Sequence, residues 1–293
     1  MSVAQTKAPP KAPRGEMVDI RGRPLRVVRA GPASDRPTVI LEHGAFGCAS
    51  DWAVVQEKLA AKGLASLAYD RAGLGHSDPG PKPRDGKAIV SDLADLLRAL
   101  DEAGPFVLAG HSMGGLMVRL FALTHPKQVL GVVMVDAVTP DVITSPLGEK
   151  GVYAFSRILG WVSHGARYGM MRPVAVVAGD RIGLPRDASA DKRRIHGSAL
   201  HAHWAAEEVG QWRATSDQAR AGDFPPAMPI SVITAGAENT VTALKDIQSV
   251  PALASLNGYI EHVAGAGHAN LLGRRFADTV VRGVEHVLVT AHR

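Results

Sequence analysis

The sequence predicts an α/β chain built on a mostly parallel, doubly wound sheet. Short runs that are apolar at every position, such as Phe106-Val107-Leu108-Ala109 and Val129–Val135, suit strands buried on both faces of such a sheet. Stretches of helical periodicity alternate with these runs. Glycine-rich turns follow several of them, at His43–Gly47, Gly110–Gly114 and Gly265–Gly267.

The elements read as follows in chain order. Met17–Ile20 and Leu25–Val28 flank Arg21-Gly22-Arg23-Pro24 and form an antiparallel hairpin. Thr38–Leu41 is a buried strand that ends in Glu42-His43-Gly44-Ala45-Phe46-Gly47. Asp51–Ala61 is helical, Ala65–Tyr69 is the next strand, and Asp70–Asp78 is a glycine-rich turn. Ile89–Leu100 places Leu93, Leu96, Leu97 and Leu100 on one helix face. A further helical pattern, marked by Leu116, Leu120 and Leu123, precedes the apolar strand Val129–Val135, which ends at Asp136. Residues 141–228 break the rhythm, with many Arg, several His and three of the four Trp in a helix-rich, irregular stretch. Pro225-Pro226 and Pro229 mark its exit. Ile230–Thr234 and Tyr259–Val263 resume the sheet, and Leu271–Val289 closes the chain as an amphipathic helix.

Composition narrows the functional classes. With 46% hydrophobic and 21% charged residues, 293 residues are ample for one buried core. The net charge of +5 is small, and no dense Lys/Arg run is interleaved with aromatics, which argues against a nucleic-acid partner. Cys48 is the only cysteine, so an intramolecular disulfide and a cysteine-based metal cluster are excluded. No apolar run approaches the roughly 20 residues of a membrane span. Residues 1–14 carry Lys and Pro where a signal peptide needs an apolar segment, and read as a disordered tail. A soluble, cytoplasmic protein is expected.

The chemistry centres on Gly110-His111-Ser112-Met113-Gly114, a G-x-S-x-G run set directly between a buried strand and a helix. A serine there sits on a sharp turn that lifts its hydroxyl clear of the sheet, and the flanking glycines lack the Cβ atoms that would collide as the chain reverses. In this context the sequence resembles the α/β-hydrolases, in particular the broad esterase, lipase and dehalogenase-like group, over most of its length. The resemblance implies the α/β-hydrolase fold, with residues 15–140 and 229–293 as the core and 141–228 as a helical lid inserted after the sixth strand. Asp70-Arg71 resembles the family's D-x-x-G-x-G-x-S turn and is expected to be scaffolding near the site.

A serine hydroxyl needs a base to take its proton and a third group to orient that base. Among 12 histidines, His268 follows the last strand in a glycine-rich loop, which fits the family order Ser, acid, His. His262, inside the strand, reads as a packing residue, and His43 and His111 as structural. For the acid, Asp136 is favoured, as in some dehalogenase-like relatives. Glu238 and Asn239 are the alternatives, because many relatives keep an Asp after the seventh strand where this chain reads Gly236-Ala237-Glu238-Asn239. The oxyanion hole is expected from the backbone N–H groups of Met113 and Ala45 (or Phe46), with the Phe46 side chain lining the substrate pocket.

Two further motifs get bland assignments. His196, His201 and His203 read as a solvated lid surface rather than metal ligands, since no supporting carboxylates or thiols lie near them. Gly73-x-Gly75 lacks the third glycine and the acid of a dinucleotide fingerprint. Trp161, Trp204 and Trp212 suggest contact of the lid with substrate or with the core rim. The expected activity is hydrolysis of a carboxylic ester or related acyl compound through an acyl-enzyme, with no cofactor, no metal and a small-molecule acyl substrate as partner, the oligomeric state being left open. Serine at the elbow argues against dehalogenase and epoxide hydrolase chemistry, which place Asp there. A C–C hydrolase, an amidase, a perhydrolase, an acyltransferase or a weakly catalytic small-molecule binder remain open on the same residues, as does a structural module with a relic site.

Overall fold

The computed structural model describes residues 14–146, 181–236 and 242–291, with single positions between 148 and 161. Apart from Arg14, the expected tail lies outside the described residues, as does part of the 141–228 insertion. Strands β1 (Glu16–Ile20) and β2 (Arg23–Ala30) form the expected hairpin. Its two-residue turn places both Arg21 (φ 56°) and Gly22 (φ 79°) in the left-handed region. Such turns match the natural twist of paired strands.

The remaining strands are β3 (Val39–Glu42), β4 (Ser66–Tyr69), β5 (Phe106–His111), β6 (Val129–Val135), β7 (Ile230–Ala235) and β8 (Gly258–Val263). Among the described residues they form one sheet in the order β1-β2-β4-β3-β5-β6-β7-β8. β2 pairs antiparallel with β1 and β4, and every pair from β4 to β8 is parallel. The helices include α1 (Ala53–Ala61), α2 (Gly86–Ala99), α3 (Gly114–Thr124), α4 (Pro140–Thr144), α5 (Arg186–His196), α6 (Ala199–Gly210), α7 (Trp212–Ala219), α8 (Thr242–Leu253) and α9 (Ala277–Thr290). None of them is long and apolar enough to cross a membrane.

Strand β5 shows why its sequence is apolar throughout. Phe106 and Leu108 point into the core formed with α2 and α3, while Val107 and Ala109 point into the core formed with α1 and α9. Successive side chains of a strand face opposite ways, so burial on both faces demands an unbroken apolar run. Burying a side chain such as Leu108 fully stabilises the fold by about 1.5–3 kcal/mol.

Several boundaries differ from expectation, among them the start of α2 at Gly86 rather than Ile89. Asp51 lies in a short 3-10 turn, Ala49–Trp52, and the α-helix starts only at Ala53. The last helix starts at Ala277 rather than Leu271. Gly273 is extended, with ψ 174°, and a Cβ there would lie 1.7 Å from the Ile182 carbonyl oxygen. Contact with a distant segment thus breaks a pattern that periodicity alone reads as continuous.

Helices α5 and α6 dock onto the core through buried charges. Arg71, fully buried, donates Nε and Nη2 to the Glu208 carboxylate of α6, at 2.9 and 2.7 Å, and Nη1 to Glu42 of β3 at 2.6 Å. Asp191 of α5 accepts from Arg26 Nη1 at 2.5 Å, Ser50 Oγ at 2.7 Å and His76 Nε2 at 2.8 Å. Burial would raise the Asp191 carboxyl, but the His76 hydrogen bond, the Arg26 charge and the Ser50 hydroxyl hold it well below the usual range.

Two predictions follow from these pairs. Replacing Arg71 by Met strands two buried carboxylates, and a loss of about 3–5 kcal/mol is expected in urea unfolding; a loss under about 0.5 kcal/mol, typical of a surface change, would contradict it. Because Asp191 has a lower pKa folded than unfolded, its contribution is complete above the unfolded value of about 3.9 and is lost as pH falls through that value toward the folded one. The Tm gap between wild type and Asp191→Asn should therefore shrink as pH is lowered from about 5 to about 2. A gap that stays constant over that range would show that the ionised carboxylate does not anchor α5.

Candidate active site

The site begins with backbone geometry. β5 ends at His111 and α3 starts at Gly114, which leaves Ser112 and Met113 to reverse the chain. Ser112 takes φ 54°, a left-handed conformation that costs a non-glycine residue on the order of 1–2 kcal/mol. Three hydrogen bonds hold it there. Ser112 N–H donates to Val135 O at 3.1 Å, and Ser112 O accepts from Gly115 N at 3.0 Å and Val138 N at 2.8 Å. The motif's glycines are demanded by crowding, since a Cβ at Gly110 would lie 2.6 Å from Gly114 O and one at Gly114 2.5 Å from Glu42 O.

Asp136 follows β6 directly, also at positive φ (42°), with its N–H donating to Ile233 O at 2.6 Å. Its Oδ2 accepts from His268 Nδ1 at 2.6 Å. Oδ1 takes weaker contacts from Ala235 N–H at 3.3 Å and Gln248 Nε2 at 3.4 Å. Burial acts to raise the Asp136 carboxyl, but the hydrogen bond and charge of His268, with the Ala235 N–H, hold it below its usual range. A carboxylate oxygen only accepts, so the contact is one in which His268 Nδ1 donates.

His111 supports this pair from below. Its Nε2 donates to the His268 backbone carbonyl at 2.9 Å, and the two rings lie 4.6 Å apart. Burial, then the neighbouring His268, lowers the His111 pKa to about 4, which keeps it neutral. Ser112 and His268 line one cavity of about 460 Å³. Among the described residues neither the Ser112 hydroxyl nor His268 Nε2 has a hydrogen-bond partner, and such bonds commonly tighten only with substrate bound.

The loop after β3 runs along the same cavity. Phe46 has φ 57°, and Gly47 N–H closes the turn onto Gly44 O at 3.2 Å. A Cβ at Gly44 would lie 3.0 Å from Ser112 Cβ, so only glycine lets the loop come this close. Arg71 pins the loop by donating to His43 O at 2.7 Å and Gly44 O at 3.0 Å. Among the described residues the Ala45 and Phe46 N–H groups make no loop hydrogen bond. Met113 stands at the N-terminus of α3, where helix N–H groups are unpaired and the dipole favours negative charge.

The insertion's side chains are placed differently from expectation. His201 is buried, not solvated: its Nδ1 accepts from Gly75 N at 3.1 Å and its Nε2 donates to Phe46 O at 3.3 Å. His196 also packs inward, with its ring 5.1 Å from that of Phe46, and His203 is half-buried. They cover the apolar Phe46 ring, and that contact outweighs their polarity. Of the three tryptophans, Trp212 lines the cavity and its indole donates to Met113 Sδ, Trp204 packs on Leu74 and Phe46, and Trp161 is exposed. Glu238 and Asn239 lie outside the described residues. Gln248, which also donates to Ala137 O at 3.1 Å, carries no motif signal and was not anticipated.

A strained serine between a parallel strand and a helix, facing a histidine and a carboxylate from later strand ends, is the arrangement of the α/β-hydrolase fold. The chain has the α/β-hydrolase fold, and its residues 37–159 match the family described as alpha/beta hydrolase fold. It is similar to an esterase from Thermogutta terrifontis, with a TM-score of 0.67 and 19% identity over 93% of this chain and 98% of that one. An epoxide hydrolase of Vigna radiata aligns with a TM-score of 0.69 and 15% identity, over 92% of this chain and 98% of that one. In sequence, a non-heme chloroperoxidase of Streptomyces lividans is 35% identical over 123 residues, 42% of this chain and 44% of the relative. The chain spans less than half the length of the curated relatives it matches.

Proposed function

We propose that this protein is a serine hydrolase that cleaves a carboxylic ester or related acyl substrate through an acyl-enzyme. The observation that carries the proposal is the 2.6 Å contact of His268 Nδ1 with Asp136, with His268 and Ser112 on one cavity. Ser112 Oγ attacks the substrate carbonyl carbon while His268 Nε2 takes the hydroxyl proton. Asp136 stabilises the imidazolium so formed. The carbonyl oxygen becomes an oxyanion held by the N–H groups of Met113 and Ala45, and in such sites one donor contributes about 2.7–4 kcal/mol. His268 returns its proton to the leaving alcohol, and the acyl group stays on Ser112. A water then gives its proton to His268 and attacks the acyl carbon, and His268 passes that proton to Ser112 Oγ as the bond to the serine breaks and the acid leaves. Residues 141–228 serve as the lid, with Trp212 and Phe46 shaping the pocket.

Fluorophosphonate labelling of the wild type, absent in Ser112→Ala, is the direct test, and no labelling of folded protein would sink the assignment. With p-nitrophenyl esters, Asp136→Asn should lower kcat by about 10⁴, with unchanged circular dichroism. Glu238→Gln should cost about tenfold or less, being outside the proton path. Collapse of Glu238→Gln instead would move the acid to the segment after β7.

A further inference from the structure

Helix α5 adds polar side chains to the cavity apart from those of Ser112 and His268. Lys192 and His196 are four residues apart, on one helix face, and both line the cavity that Ser112 faces. The same cavity is lined by Ala45, Phe46, Ile143 and Trp212. Lys192 Nζ sits 2.5 Å from Asp51 Oδ1, and both side chains are largely buried. The ammonium is therefore neutralised, and an anionic ligand would meet the Asp51 carboxylate as well.

His196 is the unexplained group. Among the described residues its Nε2 is buried with no hydrogen-bond partner. Leaving such an atom unpaired costs about 1–3 kcal/mol, a penalty a pocket wall could avoid with an aliphatic residue. Burial and the Lys192 charge push its pKa down to about 3, against a weaker pull from the Phe46 backbone, so the ring is neutral. A neutral imidazole donates from one nitrogen and accepts at the other. Rotation of the ring about its Cβ–Cγ bond exchanges its two nitrogen-bearing edges.

We propose that the Lys192–His196 face of α5 hydrogen-bonds a second, uncharged oxygen of the substrate, an ether, hydroxyl or keto group beyond the scissile carbonyl, so that oxygenated substrates are preferred over alkyl ones. This rests on the acyl-hydrolase assignment. A wall built to hydrogen-bond an oxygen rejects the analogue that lacks it far more strongly than an apolar wall discriminates one methylene.

The test compares isosteric pairs: p-nitrophenyl methoxypropionate against valerate, and methoxyethyl acetate against butyl acetate. In at least one pair the wild-type kcat/KM should favour the oxygenated ester by about tenfold or more. His196→Leu should bring that ratio to about one, whereas His196→Gln, which keeps a donor and an acceptor, should retain it. A wild-type ratio near one in both pairs, or a preference that survives in His196→Leu, overturns the proposal. If Ser112 is labelled by fluorophosphonate and the ratios are flat, only this proposal falls. If Ser112 is not labelled and no ester is cleaved, the acyl-hydrolase assignment falls first and takes this one with it.

Discussion

Arg71 joins the parts of the molecule that must hold their relative positions. All five of its N–H donors are engaged within the protein, on the Glu42 carboxylate, the His43 and Gly44 carbonyls, and the Glu208 carboxylate of α6. A guanidinium suits this task because its donors lie in one rigid plane and stay charged when buried. Two carboxylates around one cation leave an excess of negative charge. Burial pushes Glu42 above its usual range, against the pull of Arg71, and the Tyr69 hydroxyl donates to it as well. One side chain therefore couples the sheet, the loop at the serine and the insertion.

The backbone around the serine is strained in a coordinated way. Ser112, Phe46 and Asp136 all adopt positive φ without being glycine, and all three surround the same site. Such conformations persist only where surrounding structure over-determines them. Here the hydrogen bonds to Ser112 and Asp136 and the Arg71 clamp beside Phe46 supply that constraint. Strain at these positions turns side chains or N–H groups toward the cavity that regular structure would direct into the sheet.

Much of this is legible in the amino-acid sequence, for local reasons. Ser112 announces itself because the glycines around it answer to contacts within the turn and with the adjoining strand end. The strands from Val39 to Ala235 are legible because burial on both faces leaves little room for polar residues. His268 and Asp136 stand out by their place after strand ends, although the sequence alone does not separate Asp136 from Glu238 or Asn239. Their 2.6 Å contact depends on β6 and β8 flanking β7, a matter of strand order.

What the sequence determined by itself was the class of fold and the position of the strained serine, because both arise from short-range periodicity and steric demand. Tertiary structure decided the rest. Arg71, Glu208, Asp191 and Gln248 acquire their roles from partners 27 to 165 residues away, a separation that no local pattern records. His196 and His201 look like surface residues in a polar stretch, and only the packing of α5 and α6 over Phe46 turns them inward. Burial is a property of the assembled layers, and a side chain's chemistry at this site follows from it.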